Sequence, residues 1–391
     1  MSDKQNKQLV YMDHSATTPV DKRVADVVYE TMLRHWGNPS SKYTRGGEAK
    51  VILEQARERV AEMLHATPAE VYFMSGGTEA DNLALYGVMY RAREKGVSET
   101  LVTTAFEHSA VLKTAEFLKK EGFHVVFLPI DKGGFVDLDV LEHELKKGVS
   151  LVSVMHVNNE IGTIQPIETI GRLCQDYGSL FHTDAVQSFG KLPIDAGSVH
   201  ADLLSCSSHK IYGPKGVGAL FVRKGLNLRS FARGGGQEKG VRTGTENMPG
   251  IAGFGEAVQL CFEEMKTEND RLGKLRDRLW SGLQEKIEGE VLLNGSMENR
   301  LGANLNIAFP GLEGESLLMS LDMDGIAVST GSACSSGSDK PSHVLLALGL
   351  DERTAQSSLR LTLGRSTTEE DIAYVIEKLS GHVNRFRAMA F

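Results

Sequence analysis

Hydrophobic positions in the first two thirds of the chain follow two alternating spacings. Short apolar runs, such as those at 71–74 and 101–103, predict strands. After each of these runs, apolar residues recur every three or four positions, which predicts a helix. Further strand candidates occur in the stretches 124–130, 149–160, 179–186, 201–210 and 217–224. Strands interleaved with helices favour a mostly parallel or mixed sheet covered on both faces.

The pattern changes after about Gly250. Residues 251–289 form a long amphipathic stretch, which predicts one helix or two helices joined near Gly273. Separate strand candidates follow at 303–310 and 357–364. The stretch TEEDIAYVIEKLSGHVNRF then predicts a closing helix.

Chain length and this change of pattern together predict two domains. A chain of 391 residues is long enough for a large domain with a smaller companion. We predict that residues 16–258 form the large domain. The N-terminal residues 1–15 and the remainder, 259–391, would form the small one.

Charge and cysteine usage limit the classes of function. The 43 basic and 51 acidic residues give a net charge of -8, which argues against nucleic-acid binding. The four cysteines are far apart and form no CxxC pair, which argues against a zinc site or disulfide framework. The N-terminal residues lack the pattern of a signal peptide, and no apolar run approaches the roughly 18 residues of a membrane span. These features predict a soluble cytoplasmic protein.

Polar residues gather where the predicted strands end. The stretch SGGTEADN places Gly77 and Thr78 between a strand and a helix, where backbone N–H groups and the helix N-terminus favour a phosphate. Alone, this stretch is more typical of an ordinary glycine turn capped by Thr78. His108, Asp184 and Gln187 also follow strand candidates. Ligands of open α/β sheets bind in the loops at these strand ends.

Lys210 follows the strand candidate at 201–206 and precedes a turn rich in Gly and Pro. A desolvated lysine amine is suited to Schiff-base chemistry, because burial favours its neutral form. An acid beneath a pyridine ring would keep the ring nitrogen protonated, as an electron sink requires. The order of glycine turn, acid, hydroxyls and lysine on successive strand ends indicates a cofactor site.

Cys334 lies in TGSACSSGS, among small polar residues without apolar periodicity. Free thiols are usually buried, and an exposed one is prone to oxidation. Cys174, Cys206 and Cys261 lie in apolar helix or strand candidates, so we expect them to be buried. We predict that Cys334 instead lies on a movable loop over about 328–340.

Motifs over nearly the whole chain resemble one enzyme family: MDHSATTP, GNPSS, SGGTEADN, EHSAV, VNNEIGTIQPI, HTDAVQ, SSHKIYGPKGVGAL, GGGQEKGVRTGTEN, GSACSSGS and SSLRLTLGRSTTEEDI. The chain resembles the cysteine desulfurases of the IscS/NifS type, in the class V aminotransferase group of fold type I pyridoxal-phosphate enzymes. The resemblance implies a large domain with a mostly parallel seven-stranded sheet between helices, plus a smaller α+β domain. The block around Cys334 is similar to the group of desulfurases whose cysteine lies in a long loop.

The resemblance also implies roles for individual residues. Lys210 would bind pyridoxal 5'-phosphate as a Schiff base, and His108 would stack on the ring and assist proton transfer. Asp184 would pair with the ring nitrogen and Gln187 with the ring hydroxyl. The other residues assigned to the cofactor are Gly77, Thr78, Asn159, Ser207, His209 and, from a second subunit, Thr245. Substrate binding is assigned to Arg360, Asn159 and Asn38, with Arg365 as the competitor of Arg360.

The implied reaction converts L-cysteine to L-alanine and transfers the sulfur to Cys334 as a persulfide. A homodimer would then pass the sulfur to acceptor proteins, such as an iron–sulfur scaffold or a thiolation carrier. No resident metal is implied, although Cys334 could transiently ligate an iron–sulfur cluster. An aminotransferase or a selenocysteine or cystine lyase on the same scaffold stays an alternative. So does a non-catalytic assembly platform.

Overall fold

The computed structural model describes residues 9–330 and 340–389. Their strands are β1 (Val10–Tyr11), β2 (Val71–Met74), β3 (Thr100–Thr104), β4 (His124–Leu128), β5 (Leu151–Ser153), β6 (Leu180–Asp184), β7 (Leu203–Ser207), β8 (Gly218–Val222), β9 (Leu292–Leu293), β10 (Asn304–Ala308), β11 (Ile326–Ala327) and β12 (Ser358–Thr362). Their α-helices are α1 (Lys22–Arg34), α2 (Thr44–Met63), α3 (Gly77–Lys95), α4 (Ser109–Lys120), α5 (Leu138–Leu145), α6 (Ile167–Asp176), α7 (Met248–Lys286), α8 (Gly314–Met323), α9 (His343–Ala347), α10 (Glu352–Gln356) and α11 (Glu369–Met389). Short 3-10 turns lie at Pro68–Glu70, Ser208–Lys210 and Gln237–Gly240.

The largest sheet has seven strands in the order β2-β8-β7-β6-β5-β3-β4. Strand β8 runs antiparallel to both β2 and β7, and the other neighbours are parallel. The predicted mostly parallel seven-stranded sheet is therefore confirmed. Because the carboxyl ends of β3, β5, β6 and β7 lie at one edge, the loops that follow these strands meet there.

Both faces of this sheet are covered by apolar side chains. Neighbouring residues on a strand point to opposite faces, so Leu151 belongs to the core beneath α3 and α4, and Val152 belongs to the core on the other face. Leu203 and Leu204 of β7 divide in the same way. Burial on two faces explains why these strands are nearly continuous apolar runs in the sequence.

A separate hydrophobic core is built by the C-terminal part of the chain. Its sheet consists of the antiparallel strands β9, β10 and β12. Leu305 of β10 and Leu361 of β12 pack with Leu279 of α7 and Leu379 of α11. Strand β1 reaches this core from the N-terminus by pairing in parallel with β11. The exact division of the chain into residues 16–258 and the two flanking segments stays a prediction.

Helix α7 is continuous through Gly273, so the alternative of two helices is wrong. It connects both cores, because Phe254 packs in the core of the large sheet and Leu283 in the C-terminal one. Gly255 allows α7 to approach α2 closely, since a Cβ there would lie 2.8 Å from the Cα of Ala56. The described part of the chain contains no helix whose length and apolar character would let it cross a membrane.

Candidate active site

A pocket of about 210 Å³ lies at the carboxyl ends of β3, β5, β6 and β7. Ten of the residues that the sequence assigns to cofactor or substrate line it: Gly77, Thr78, His108, Asn159, Asp184, Gln187, Ser207, His209, Lys210 and Arg360. They come from positions spread over more than 280 residues of sequence. The fold therefore brings together side chains that are distant along the chain.

Lys210 ends a 3-10 turn that directly follows β7. Its Nζ donates hydrogen bonds to the backbone oxygens of Ser15, at 2.5 Å, and Ala16, at 2.7 Å. The neighbouring backbone is fixed as well, since Thr18 Oγ1 donates to the His209 carbonyl at 2.9 Å. The N-terminal segment thus holds the lysine amine at the wall of the pocket.

Asp184, which is buried, and His108, which is half-buried, are ionisable groups that line the pocket with Lys210. The Asp184 Oδ1 atom accepts a hydrogen bond from the backbone N–H of Val186 at 2.9 Å. Burial raises the pKa of Asp184, whereas a protonated His108 ring, the Val186 hydrogen bond and the Lys210 ammonium group each oppose this rise. An ionised Asp184 is therefore stabilised most by a cation placed next to it inside the pocket.

His108 caps the N-terminus of α4, where its Nδ1 accepts a hydrogen bond from the backbone N–H of Ala110 at 3.1 Å. An accepting Nδ1 places the proton of the neutral ring on Nε2. Burial lowers the pKa of His108, and Asp184 partly restores it. The ring is therefore a neutral imidazole whose Nε2–H group is free of the helix cap.

The turn before α3 offers room and donors for an anion. Gly76 has a φ of 155°, in the region that favours glycine, and an added Cβ on Gly77 would lie 2.6 Å from Val186 Cγ2. The buried Oγ of Ser207 has no hydrogen-bond partner within the described residues, and neither has Oε1 of Gln187. Buried polar atoms without partners indicate a ligand or water that supplies the missing bonds.

Arg360 lies on β12 with 3% of its side chain exposed. One guanidinium nitrogen donates to the Asn159 carbonyl at 3.1 Å and another to Asp13 Oδ1 at 2.7 Å. Its competitor, Arg365, bonds Glu268 at 3.0 Å and Asp21 at 3.1 Å. Arg365 lines a smaller cavity of about 30 Å³, which Lys210 also lines, whereas Arg360 lines the larger pocket together with Lys210, His108 and Asp184.

Comparisons with known proteins agree with this geometry. The family model described as Aminotransferase class-V matches residues 10–375. A relative named cysteine desulfurase IscS, from Clostridium botulinum (strain Hall), is 49% identical over 387 residues, covering 98% of this chain and 96% of the relative. The chain belongs to the IscS/NifS-type cysteine desulfurases of the class V aminotransferase family.

Solved structures support the same family assignment. One described as a NifS-like protein has a TM-score of 0.90 at 38% identity, and covers 97% of this chain and 100% of its own. A second, described as SspA in complex with cysteine, has a TM-score of 0.81 at 35% identity, with 90% and 98% covered. The desulfurase fold therefore extends over nearly the whole chain.

Two of the residues assigned by this desulfurase resemblance do not line the pocket, and a third is outside the described residues. Asn38 is exposed in the loop after α1, where its side chain accepts a hydrogen bond from the backbone of Ser40 at 2.9 Å. Thr245 is also exposed and does not line the pocket of its own chain. Cys334 lies outside the described residues, and so does most of the predicted loop over 328–340.

The sequence analysis missed several contributors to the desulfurase site. Asp13, Ser15 and Ala16 all belong to the MDHSATTP motif, which was quoted for the resemblance without a role for any residue. Their contacts are with Lys210 and Arg360, both more than 190 positions away. Local patterns do not reveal such contacts, although a polar cluster between β1 and α1 was a detectable signal.

The three described cysteines are buried and unpaired, as predicted. Burial raises the pKa of Cys174 and of Cys206 far above that of a free thiol, and the pKa of Cys261 to about 12. A thiol with so high a pKa is a poor nucleophile at neutral pH. None of these three is therefore suited to accept sulfur.

Proposed function

We propose that this chain is a pyridoxal-phosphate-dependent cysteine desulfurase. It converts L-cysteine to L-alanine, and the sulfur leaves on Cys334 as a persulfide. The observation that carries this proposal is the convergence of Lys210, Asp184, His108 and Arg360 on one pocket, in a chain closely similar to curated cysteine desulfurases.

The residues of the pocket fit pyridoxal phosphate group by group. Lys210 provides an amine for the aldehyde, and Asp184 provides the carboxylate that a protonated ring nitrogen needs. The unpartnered Oε1 of Gln187 can accept from the ring hydroxyl. The unpartnered Ser207 hydroxyl lies beside the turn before α3, since a Cβ on Gly76 would lie 4.0 Å from it. That hydroxyl and the helix N-terminus suit the phosphate.

When bound, pyridoxal phosphate supplies an electron sink for the pair left by removal of the substrate α-proton. Lys210 would hold the aldehyde group of the cofactor, and its amine, when free, could carry that proton. His108, neutral and with its proton on Nε2, can donate to or accept from the reacting groups on the other side of the pocket. Asp184 would stabilise positive charge on the ring nitrogen.

Arg360 is proposed to bind the substrate carboxylate. Its planar guanidinium matches a carboxylate with two parallel hydrogen bonds. The Nε atom of Arg360 is buried and has no hydrogen-bond partner within the described residues. Asp13 and the Asn159 carbonyl hold the other nitrogens, so they fix the orientation of the guanidinium before substrate arrives.

The assignment of Cys334 as sulfur acceptor is supported by the residues on either side of its segment. Ser329 pairs with Arg360, whose backbone N–H donates to the Ser329 carbonyl at 2.6 Å. On the other side, His343 Nε2 contacts the Glu107 carbonyl at 2.9 Å, next to His108. Both described ends of the segment therefore lie beside the pocket. In the transfer, the Cys334 thiolate forms an S–S bond as the substrate C–S bond breaks.

We infer that the enzyme is a homodimer in which Thr245 contributes to the partner's cofactor site. An exposed apolar surface supports this inference, since Tyr29, Met32 and Leu33 of α1 and the nearby Trp36 are 58–69% exposed. Apolar surfaces of this kind are typical of protein interfaces. Thr245 is exposed in its own chain, as a residue that reaches a partner would be.

The proposed physiological role is sulfur delivery in the cytoplasm to an acceptor protein, such as an iron–sulfur scaffold or a thiolation carrier. The net charge of -8 gives no support for a nucleic-acid partner. The described residues contain no group of three or more His, Cys, Asp or Glu side chains that could hold a metal ion. Sulfur transfer through a thiol needs none.

The experiment is to load the protein with pyridoxal phosphate, add L-cysteine, and quantify alanine, sulfide and protein persulfide. We expect alanine and sulfur in equal amounts. The Cys334→Ala variant should keep the cofactor's absorption band but form no persulfide, and Lys210→Ala should lose the band of the lysine-bound cofactor. A keto acid product would indicate an aminotransferase. Failure to bind the cofactor would favour the alternative of a non-catalytic assembly platform. Unaltered sulfur release by Cys334→Ala would refute the assignment of that cysteine.

A further inference from the structure

A second carboxyl group lies in the pocket beside Asp184, and the proposed reaction does not use it. Asp81 is on α3, is only 1% exposed to solvent, and lines the same pocket as Asp184. Aspartate is rarely buried without a cation or several hydrogen bonds, because an isolated charge is costly in a low-dielectric interior. Its presence needs a physical explanation.

The contacts of Asp81 do not favour an ionised carboxylate. Its Oδ1 has no hydrogen-bond partner among the residues that the structure describes. His182 Nε2 is 3.7 Å from that oxygen, which is too long for a hydrogen bond. His182 bonds instead to the hydroxyls of Ser153, at 2.8 Å, and Ser205, at 3.0 Å.

The charged groups that face Asp81 make ionisation still less favourable. Burial lowers the pKa of His182 to about 3, so this ring is neutral and cannot serve as a counter-ion. Burial raises the pKa of Asp81, and the neighbouring carboxyl groups of Asp184 on β6 and Glu107 after β3 raise it further. The Ser205 hydroxyl opposes this rise but contributes no charge.

Asp184 is the better placed of the two carboxyl groups to carry a charge. It accepts a backbone hydrogen bond from Val186. Burial raises its pKa, but that hydrogen bond and the nearby Lys210 amine oppose the rise. Two neighbouring buried carboxyl groups rarely ionise together, so the one with the better partners takes the charge. We propose that Asp81 is held as a neutral carboxylic acid, so that the pocket presents a single negative charge, on Asp184, to the ring nitrogen of the cofactor. The part concerning the ring rests on the proposed function, but the neutral state of Asp81 does not.

The first test compares the wild-type full chain with Asp81→Asn, both freed of cofactor, by thermal unfolding between pH 4 and pH 8. An acid that is neutral in the folded state and ionised in the unfolded state costs stability as the pH rises above about 4. Asparagine removes that cost, so the Tm of Asp81→Asn should rise relative to wild type by about 2 to 5 °C between these two pH values. Asp270→Asn, an exposed change on α7, is the matched control and should show no such trend.

A Tm difference that is constant with pH, or that falls as the pH rises, would overturn the proposal, because an ionised and stabilised Asp81 would produce that result.

A second measurement does not depend on the folding of the variant. Infrared spectra of wild-type protein with and without a carbon-13 label at the aspartate carboxyl groups should show, at pH 7, an isotope-shifted band of a neutral acid. A spectrum in which every aspartate is ionised would also overturn it. Neither measurement uses cofactor or cysteine, so failure here is distinct from failure of the desulfurase assignment.

Discussion

Replacing Arg57 with methionine should destabilise the protein strongly, because it leaves a buried carboxylate without its cation. Arg57 lies on α2, and its two terminal nitrogens donate to Glu238 at 2.8 and 2.9 Å. The side chains are 8% and 3% exposed, so water cannot replace the lost partner. After the substitution, Glu238 would keep the hydrogen bond from the backbone N–H of Phe73, at 2.9 Å.

The magnitude follows from this burial. Removing one partner of a buried ion pair costs about 3 to 5 kcal/mol, because the other charge remains desolvated. The double variant Arg57→Met/Glu238→Gln removes the stranded charge, so its loss should be smaller than the sum of the single losses by about 2 kcal/mol. Arg59→Met is the matched control on the same helix. Its ion pair with Glu256 is 38% and 23% exposed, so we expect a loss of at most about 1 kcal/mol.

The assay is urea-induced unfolding of the cofactor-free chain, with the free energy of unfolding extrapolated to water. A loss below 1 kcal/mol for Arg57→Met, or additive losses in the double variant, would refute the reasoning.

Cofactor affinity gives a second readout. Glu238 has a φ of 44° and Lys239 a φ of 55°, so the turn is strained and depends on this anchor. Because Thr245 follows in the same segment, we also expect Arg57→Met to bind pyridoxal phosphate more weakly.

Other predictions concern the substrate, the C-terminal contacts and pH. Arg360→Lys should raise the KM for cysteine by about 10- to 100-fold while the cofactor band is retained, since one charge-assisted hydrogen bond contributes about 1.5 to 3 kcal/mol; an unchanged KM would contradict the assignment. Ser342→Ala removes the hydroxyl that donates to the buried Glu160 at 2.5 Å, and should cost about 1 to 3 kcal/mol in urea unfolding. Burial lowers the pKa of His156 to about 4, so the unfolded chain binds more protons between pH 6.5 and pH 4. Wild type should therefore lose up to about 3 kcal/mol more than His156→Gln on acidification from pH 7 to pH 4, as measured by unfolding at each pH.

The fold was predictable from the sequence where local pattern and burial coincide. Strands β5 and β7 are buried on both faces, so their apolar runs were visible without any structure. The antiparallel direction of β8 was not visible, because its sequence is as apolar as that of the mutually parallel strands of the same sheet. The continuity of α7 through Gly273 was also left open. A Cβ at that position would meet nothing within 4 Å, so the glycine reflects no packing constraint that marks a break.

The sequence predicted those site residues that directly follow a strand along the chain. Asp184 and Lys210 come directly at or after the ends of β6 and β7, and the general rule for open sheets places such residues at one edge. Their partners were not predictable in this way. The carbonyls of Ser15 and Ala16 carry no side-chain signal, and the carboxyl of Asp81 occupies a position that a helical pattern assigns equally well to solvent or to the core.

The segment from Asp13 to Ala16 explains how two distant motifs act as one site. Its backbone oxygens bind the Lys210 amine, and its first side chain binds the Arg360 guanidinium. Asp13 also forms a backbone β-bridge to Thr362, the last residue of β12, so the segment is fixed to the strand that carries Arg360. The position of the proposed cofactor-binding lysine relative to the proposed substrate-binding arginine is therefore set by one short stretch of chain. This shared support lets a desulfurase site form from a lysine on the large sheet and an arginine on the small one.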